Sequence, residues 1–247
     1  MTRQAMIFAA GLGTRLRPLT DTMPKALVPV AGQPLLRHVL MKLKAEGFMR
    51  IVVNVHHFAG QIVDYLEQNH HFGLDVRISD ESDQLLETGG GIRHALPLFD
   101  QEAPVLIHNV DILSNARLAP LYDLCIDSRA DALLLVSQRK TSRYLLFDDE
   151  NILDGWTNVI TGEVRSPYPG LLPSDCRQRA FSGIHVVGPS LFQRLLAMPA
   201  RFPIIDFYLQ YCHQCAILAH EQVPPLRLLD VGKADTLNEA GQFLRTL

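Results

Sequence analysis

Short uninterrupted apolar runs alternate along this chain with segments whose apolar residues recur every three or four positions, and that alternation leaves few folds open. Ala5-Met6-Ile7-Phe8-Ala9-Ala10, Ile51-Val52-Val53-Asn54-Val55, residues 104–109 and residues 132–136 lack polar alternation, as strands covered on both faces do. Between them, Leu35, Leu36, Val39, Leu40 and Leu43 share one helical face after Pro34, and Ile62, Val63 and Leu66 share another. Residues 74–78 alternate like a strand with one more polar face, and helices are expected over 89–98 and 116–128. Repeated strand–helix–strand units predict an α/β fold: a single three-layer Rossmann-like domain with a mixed, mostly parallel central sheet. Ligands of such sheets bind at the carboxyl ends of the strands, so the loops after Ala10, Asn54, Ile78, Asn109 and Leu229 are where chemistry is sought.

From about residue 137 to 180 the texture changes, with frequent Pro, Gly, Ser and Asp and no helical periodicity. That stretch reads as an insertion of strands and loops. A strand is expected over 179–187, helices over 189–198 and 204–212, a return to the sheet over 226–230, and an amphipathic helix over 233–247. The 247 residues suit one domain with room for the insertion. A net charge of -3 argues against a nucleic-acid binder, which shows a basic surplus. No apolar stretch is long enough to span a bilayer, and the run behind Arg3 is too short for a secretory leader. Cys125, Cys176, Cys212 and Cys215 are scattered and suit free thiols, so a cytoplasmic protein without membrane partners is expected.

The sharpest segment follows the first strand: Gly11-Leu12-Gly13-Thr14-Arg15-Leu16-Arg17-Pro18-Leu19-Thr20. Two glycines let the backbone turn tightly and bring its N–H groups close to phosphate oxygens. Arg15 adds a planar fork suited to phosphate. Lys25, behind Pro24, is a second candidate cation. A dinucleotide-binding turn needs a third Gly where Leu16 stands, and a P-loop needs a Gly-Lys-Ser/Thr that is absent.

The run from Ala9 to Thr20, with Pro24-Lys25-Ala26-Leu27-Val28-Pro29-Val30 and Gly32-Gln33-Pro34, closely resembles the signature of sugar-1-phosphate nucleotidyltransferases. Within that family the pattern is most similar to the uridylyltransferases acting on N-acetylmuramate 1-phosphate. The resemblance covers nearly the whole chain and implies the nucleotidyltransferase type A fold, with residues 137–180 as a lid over the sugar half of the site. It implies that a nucleoside triphosphate and a sugar 1-phosphate are the ligands and that Mg²⁺ is the cofactor. Ala10, Gly11, Gly13 and Thr14 then meet the nucleotide, and Arg15, Lys25 and Asp111 are the catalytic set. The turn Leu86-Glu87-Thr88-Gly89-Gly90-Gly91 is similar to the family's base-holding turn, which assigns Leu86, Thr88, Gly89 and Gly90 to the nucleotide. Its three glycines would leave the backbone open to a flat base or ribose.

Asn109-Val110-Asp111 closes an apolar strand, and Asp230 stands in Leu229-Asp230-Val231-Gly232. The resemblance makes Asp111 and Asp230 the pair that holds Mg²⁺, an ion that favours two carboxylates plus substrate phosphates. The family usually has Gly where Val110 stands, so a side chain is expected there that shifts the loop or narrows the site. On the sugar side, Phe181-Ser182-Gly183-Ile184 resembles the family's strand near the ring, which assigns Asn109, Ser182 and Gly183. Trp156 stacks on the sugar or packs the lid. The Glu-Lys-Pro segment whose Lys meets the sugar phosphate in many relatives is missing, and Lys140 and Arg143 are candidates to replace it.

His56-His57, His70-His71 and Cys212/Cys215 lack the spacing and the additional ligands of a transition-metal site. The cysteines are expected to pack as small apolar groups. GTP- or CTP-dependent transferases of the same family, and a catalytically silent nucleotide- or sugar-sensing module, are the alternatives to a UTP-dependent enzyme.

Overall fold

The computed structural model describes residues 2–247. Its main sheet begins with strand β1 (Arg3–Phe8), which pairs in parallel with β4 (Phe48–Val55) and with β6 (Val105–Asn109). Strand β5 (Asp75–Asp80) extends the sheet in parallel beyond β4. A two-residue hairpin, β2 (Pro29–Val30) and β3 (Gln33–Pro34), leads into helix α1 (Leu35–Ala45). Helices α2 (Ala59–Gln68) and α3 (Glu87–Ala95) cross between the parallel strands.

Strand β12 (Arg177–Val187) is the long member that makes the sheet mixed. Its second half runs antiparallel to β6 and to β8 (Ala132–Ser137), and its first half pairs with β9 (Arg143–Phe147). From β9 an antiparallel extension continues through β10 (Leu153–Asn158) to β11 (Glu163–Arg165), so residues 137–180 do hold strands and loops.

Alternation along each buried strand sorts its residues onto two cores, as a period of two requires. Ala5, Ile7, Ile51, Val53, Leu106 and Leu133 pack with α1, α2 and α4 (Leu118–Asp127). Met6, Val52, Val105, Ile107 and Leu134 pack with α3, α5 (Phe192–Leu196) and α6 (Ile204–Tyr211). Helices on both faces give the three layers expected.

One expectation fails at the C-terminal end. Residues 226–230 do not return to the main sheet. Instead β14 (Leu228–Asp230) pairs with β7 (Ile112–Ser114) in a separate antiparallel ribbon just beyond Asp111. The edge of the main sheet is taken by β13 (Ile217–His220), parallel to β8, a four-residue run too short to read from sequence. The last helix, α7 (Ala234–Leu244), packs Ala240 into the first core. Cys125, Cys212 and Cys215 are buried free thiols, which fits their reading as small apolar packing groups.

Two histidines are buried inside the layers. His185 lies on β12 between Phe181 and Tyr208, with ring centroids 5.4 and 5.7 Å away. Burial pushes its imidazole down to about 3 and that of His108 to about 4. An unfolded histidine titrates near 6.5. The folded values lie lower, so this source of stability is intact above the unfolded pKa and is lost as pH falls toward the folded ones. Replacing His185 with Phe should reduce proton uptake on unfolding between pH 6 and 4 by about one. Denaturant melts across that range would read the change, and an unaltered acid limb would show that His185 is not held neutral.

Candidate active site

Asn54 sits at the carboxyl end of β4 and is 2% exposed. Its Oδ1 accepts hydrogen bonds from the N–H groups of Ala9 (2.7 Å) and Ala10 (3.3 Å). Those amides leave the ladder there, which is why β1 stops at Phe8 although the apolar run continues. The chain then enters three 3₁₀ turns, Thr14–Leu16, Leu19–Asp21 and Lys25–Leu27.

The two glycines of this loop have different reasons. Gly13 has φ 64°, the left-handed region, and a Cβ there would lie 2.8 Å from Thr20 Cγ2 and 3.1 Å from Lys25 Cβ. Thr20 Oγ1 donates to Gly13 O at 2.8 Å and closes the loop on itself. Gly11 faces open space, and a Cβ there would meet nothing within 4 Å. So Gly13 folds the loop and Gly11 leaves room above it. Thr14 and Arg15 are exposed.

Lys25 is nearly buried, and its Nζ forms an ion pair with Asp111 Oδ2; their side chains are 10% and 17% exposed. Val110 is 3% exposed, lies in the first core, and donates its N–H to Phe8 O at 3.1 Å. It continues the β6–β1 pairing by one residue and turns its side chain into the core, which is how the loop accommodates a side chain in place of Gly. Asp111 O accepts from Val231 N at 2.8 Å, so the β7–β14 ribbon brings Asp230 next to Asp111 along the chain. Asp230 Oδ1 and Arg15 Nη2 lie 2.7 and 2.8 Å from the position a Cβ on Gly232 would take. Arg15, Lys25, Asp111 and Asp230 thus gather at one end of the sheet.

A crevice at these strand ends is lined by Ala10, Gly11, Lys25, Asn54, Glu81, Thr88, Asn109 and Asp111, among others. The second glycine-rich turn forms its far wall, and residues 200–204 clamp it. Gly89 and Gly90 donate their N–H groups to Phe202 O (2.9 and 3.1 Å), Ile204 N donates to Thr88 Oγ1 (2.9 Å), and Arg201 Nε donates to Glu87 Oε1 (2.9 Å). A Cβ on Gly89 would lie 2.2 Å from Phe202, and one on Gly90 2.3 Å from Ala200 O. Openness to a base is therefore not why these glycines are needed: they make room for protein, and their amides are taken. Leu86 carries the turn's backbone past the crevice, and Glu87 and Thr88 line it.

The sugar-side expectations divide. Asn109 lines the crevice, and Gly183 (φ 78°) makes way for it, since a Cβ there would lie 2.6 Å from Asn109 Nδ2. Ser182 is 2% exposed, and its Oγ accepts from Ile184 N at 3.1 Å within a bulge of β12; its hydroxyl lines neither the crevice nor the neighbouring depression. Trp156 lines that depression with Arg143, Arg165 and Asp206. The Arg165 guanidinium stands 5.6 Å from the Trp156 ring centroid and donates to Asp206 Oδ1 at 2.6 Å. Lys140 is exposed and does not line the depression. Among the described residues, no group of three or more His, Cys, Asp or Glu side chains is arranged to hold a metal.

Sequence reasoning missed Asn54 and Glu81 as site residues. Glu81 is 3% exposed, and desolvation raises its carboxyl above the usual range, against hydrogen bonds from Asn54 and Leu86 that lower it. A polar residue inside an apolar strand was the available signal for Asn54.

Residues 4–145 match the family model described as nucleotidyl transferase. The chain is 38% identical over 197 residues to an N-acetylmuramate alpha-1-phosphate uridylyltransferase of Caulobacter vibrioides, covering 76% of each chain. It is 46% identical over 112 residues to the enzyme of that name from Neisseria meningitidis serogroup B, covering 45% of this chain and 48% of the relative. In fold it is similar to HddC from Yersinia pseudotuberculosis complexed with GMP-PN, with a TM-score of 0.77, 19% identity and coverage of 98% and 99%.

Gly13→Ala forces a methyl against Thr20 and Lys25 at a left-handed φ, so it should destabilise the protein by about 1–3 kcal/mol. Gly11→Ala should leave stability within about 0.5 kcal/mol of wild type. Denaturant unfolding of the two variants would check the contrast.

Proposed function

This chain belongs to the nucleotidyl transferase family, and from that premise we propose that it transfers a uridylyl group from UTP to a sugar 1-phosphate and releases pyrophosphate. The observation that carries the reading is the gathering of Arg15, Lys25, Asp111 and Asp230 beside the open backbone at Gly11. Both uridylyltransferase relatives are named for N-acetylmuramate α-1-phosphate, and that is the acceptor we favour.

A phosphate oxygen of the acceptor attacks the α-phosphorus in line, the bond to the bridging oxygen breaks, and its electrons leave with pyrophosphate. The attacking oxygen is already anionic, so no general base is needed. The obstacle is the mutual repulsion of two polyanions, and positioning with fixed charge overcomes it. Ala10, Gly11, Gly13 and Thr14 carry the backbone along the triphosphate. Arg15 and Lys25 hold its β- and γ-phosphates and stabilise departing pyrophosphate. Leu86, Thr88, Gly89 and Gly90 form the turn that receives the base. Asn109 borders the sugar phosphate where Gly183 makes room for it, Ser182 only shapes the bulge behind them, and Trp156 lies beneath the sugar in the lid of residues 137–180. Arg143, in the depression beside Trp156, is the cation we favour for the acceptor's negative charge.

Asp111 and Asp230 would hold Mg²⁺. Two hard carboxylates without a third protein ligand suit an ion that completes its shell with water and substrate phosphates. When bound, the ion neutralises charge on the phosphate oxygens around the reacting phosphorus. The protein acts as a soluble cytoplasmic enzyme in this reading. GTP is the second donor to test, because a similarly folded protein is described in complex with GMP-PN.

Asp111→Asn keeps the shape of the side chain and an acceptor for Lys25, so the fold should persist while turnover falls at least about a thousandfold. Lys25→Ala should lower kcat/KM by several kcal/mol in activation free energy, on the order of a lost charge-assisted contact in a site shielded from water. Pyrophosphate release with UTP, GTP and CTP against N-acetylmuramate 1-phosphate reads both variants and the donor preference together. Near-normal activity of Asp111→Asn would refute the metal assignment.

A further inference from the structure

The Gly11 loop and the Leu86–Thr88 turn come from distant parts of the chain, and one hydrogen-bonded pair of buried side chains ties them together beneath the crevice. Asn54 Oδ1 accepts from Ala9 N and Ala10 N, at the start of the first loop. Asn54 Nδ2 donates to Glu81 Oε1 at 2.7 Å. Glu81 Oε2 accepts from Leu86 N at 3.2 Å, at the start of the second. The backbone of Glu81 is fixed as well: its N–H donates to Val55 O at 2.8 Å, and its carbonyl accepts from His56 Nδ1 at 2.6 Å.

The pair is built for its place. Both residues are almost fully buried at the floor of the crevice. Asn54 Oδ1 and both carboxylate oxygens of Glu81 are each taken by protein N–H groups. The carboxylate stands at the N-terminus of α3, where the helix dipole favours negative charge. Gly91 leaves the space: a Cβ there would lie 2.8 Å from Glu81 Oε1 and 3.3 Å from Asn54 Nδ2. A buried polar unit whose acceptor atoms are all taken by protein N–H groups is rigid, and removing one partner leaves the other unsatisfied.

We propose that Asn54 and Glu81 are positioning residues for the nucleotide, acting as one unit that fixes the separation between the loop receiving the phosphates and the turn receiving the base. The proposal rests on the uridylyl-transfer reading of the crevice. A nucleoside triphosphate has a set span from base to phosphates, so a fixed separation pre-organises both ends of its site. The pair acts on the nucleotide through Ala9, Ala10 and Leu86, and leaves the acceptor side alone.

The donor–acceptor pattern permits a swap test. Glu81→Gln sets a second amide donor against Asn54 Nδ2 or against Leu86 N. Asn54→Asp sets two carboxylates against each other. The double variant reverses the polarity of the central hydrogen bond and keeps the acceptors for Ala9, Ala10 and Leu86. Each single variant should raise the Kd for UTP, and its KM, at least about tenfold, while the KM for the sugar phosphate stays within about threefold of wild type. The double variant should return to within about threefold of wild type for UTP.

Amide hydrogen exchange at Ala10 and Leu86 gives a readout without any ligand: faster in each single variant, restored in the double. Wild-type UTP affinity in the singles, or a double variant at least as impaired as the worse single, overturns the proposal. So does unaltered exchange at both amides. If a single variant does not fold, the double variant decides by the same criterion. A wild-type protein that neither binds nor turns over UTP contradicts the functional reading instead, and the exchange pattern still judges the connector.

Discussion

The ion pair between Lys25 and Asp111 is the contact on which the site depends. The two residues are 86 positions apart, and neither belongs to a regular strand or α-helix. Their meeting pulls the long loop after β1 back over the end of β6. In a nearly buried setting such a pair interacts strongly, and losing either partner strands a charge away from water. The loop has little slack around it. Gly13 is required because Lys25 Cβ and Thr20 crowd its Cα, and the Thr20 hydroxyl closes the turn onto Gly13 O. The cation is therefore placed by the same contacts that shape the backbone above which Gly11 lies open.

The sheet provides the platform for this arrangement. Parallel pairing of β6, β1, β4 and β5 aligns their carboxyl ends, so Asn109, Ala10 and Asn54 emerge on one side. The antiparallel β12 then bulges at Ser182–Gly183, which lets Asn109 turn toward the crevice. The β7–β14 ribbon adds a second carboxylate from the far end of the sequence. Each device serves one end of the fold, while the two apolar cores hold the platform stiff from both sides.

Much of this was legible in the sequence because it is local. An apolar strand followed by Gly11-x-Gly13 and Arg15 carries its own conformational reasons, and so does Asp111 behind the run ending at Asn109. What could not be read depends on distant partners. Asn54 looks like one polar residue inside a strand until the amides of Ala9 and Ala10 are seen beside it. Glu81 sits in an acidic stretch, Asp80-Glu81-Ser82-Asp83, in which nothing local marks one carboxylate as the buried one. The glycines 89–91 announce close approach but not by what, and the answer is Phe202, Ala200 and Glu81. The pairing of β14 with β7 was missed because three-residue strands carry no register signal, and Asp230 was singled out only through the resemblance to the family.

One triphosphate must bridge both loops if the crevice works as proposed. A crystal structure of the protein with Mg²⁺ and a non-hydrolysable UTP analogue tests this most directly. The expected result is phosphates over Gly11 between Arg15 and Lys25, the ion on Asp111 and Asp230, and the base against Thr88. A triphosphate lodged instead in the depression of Trp156 and Arg143, with Lys25 still on Asp111 and the crevice empty, would contradict it.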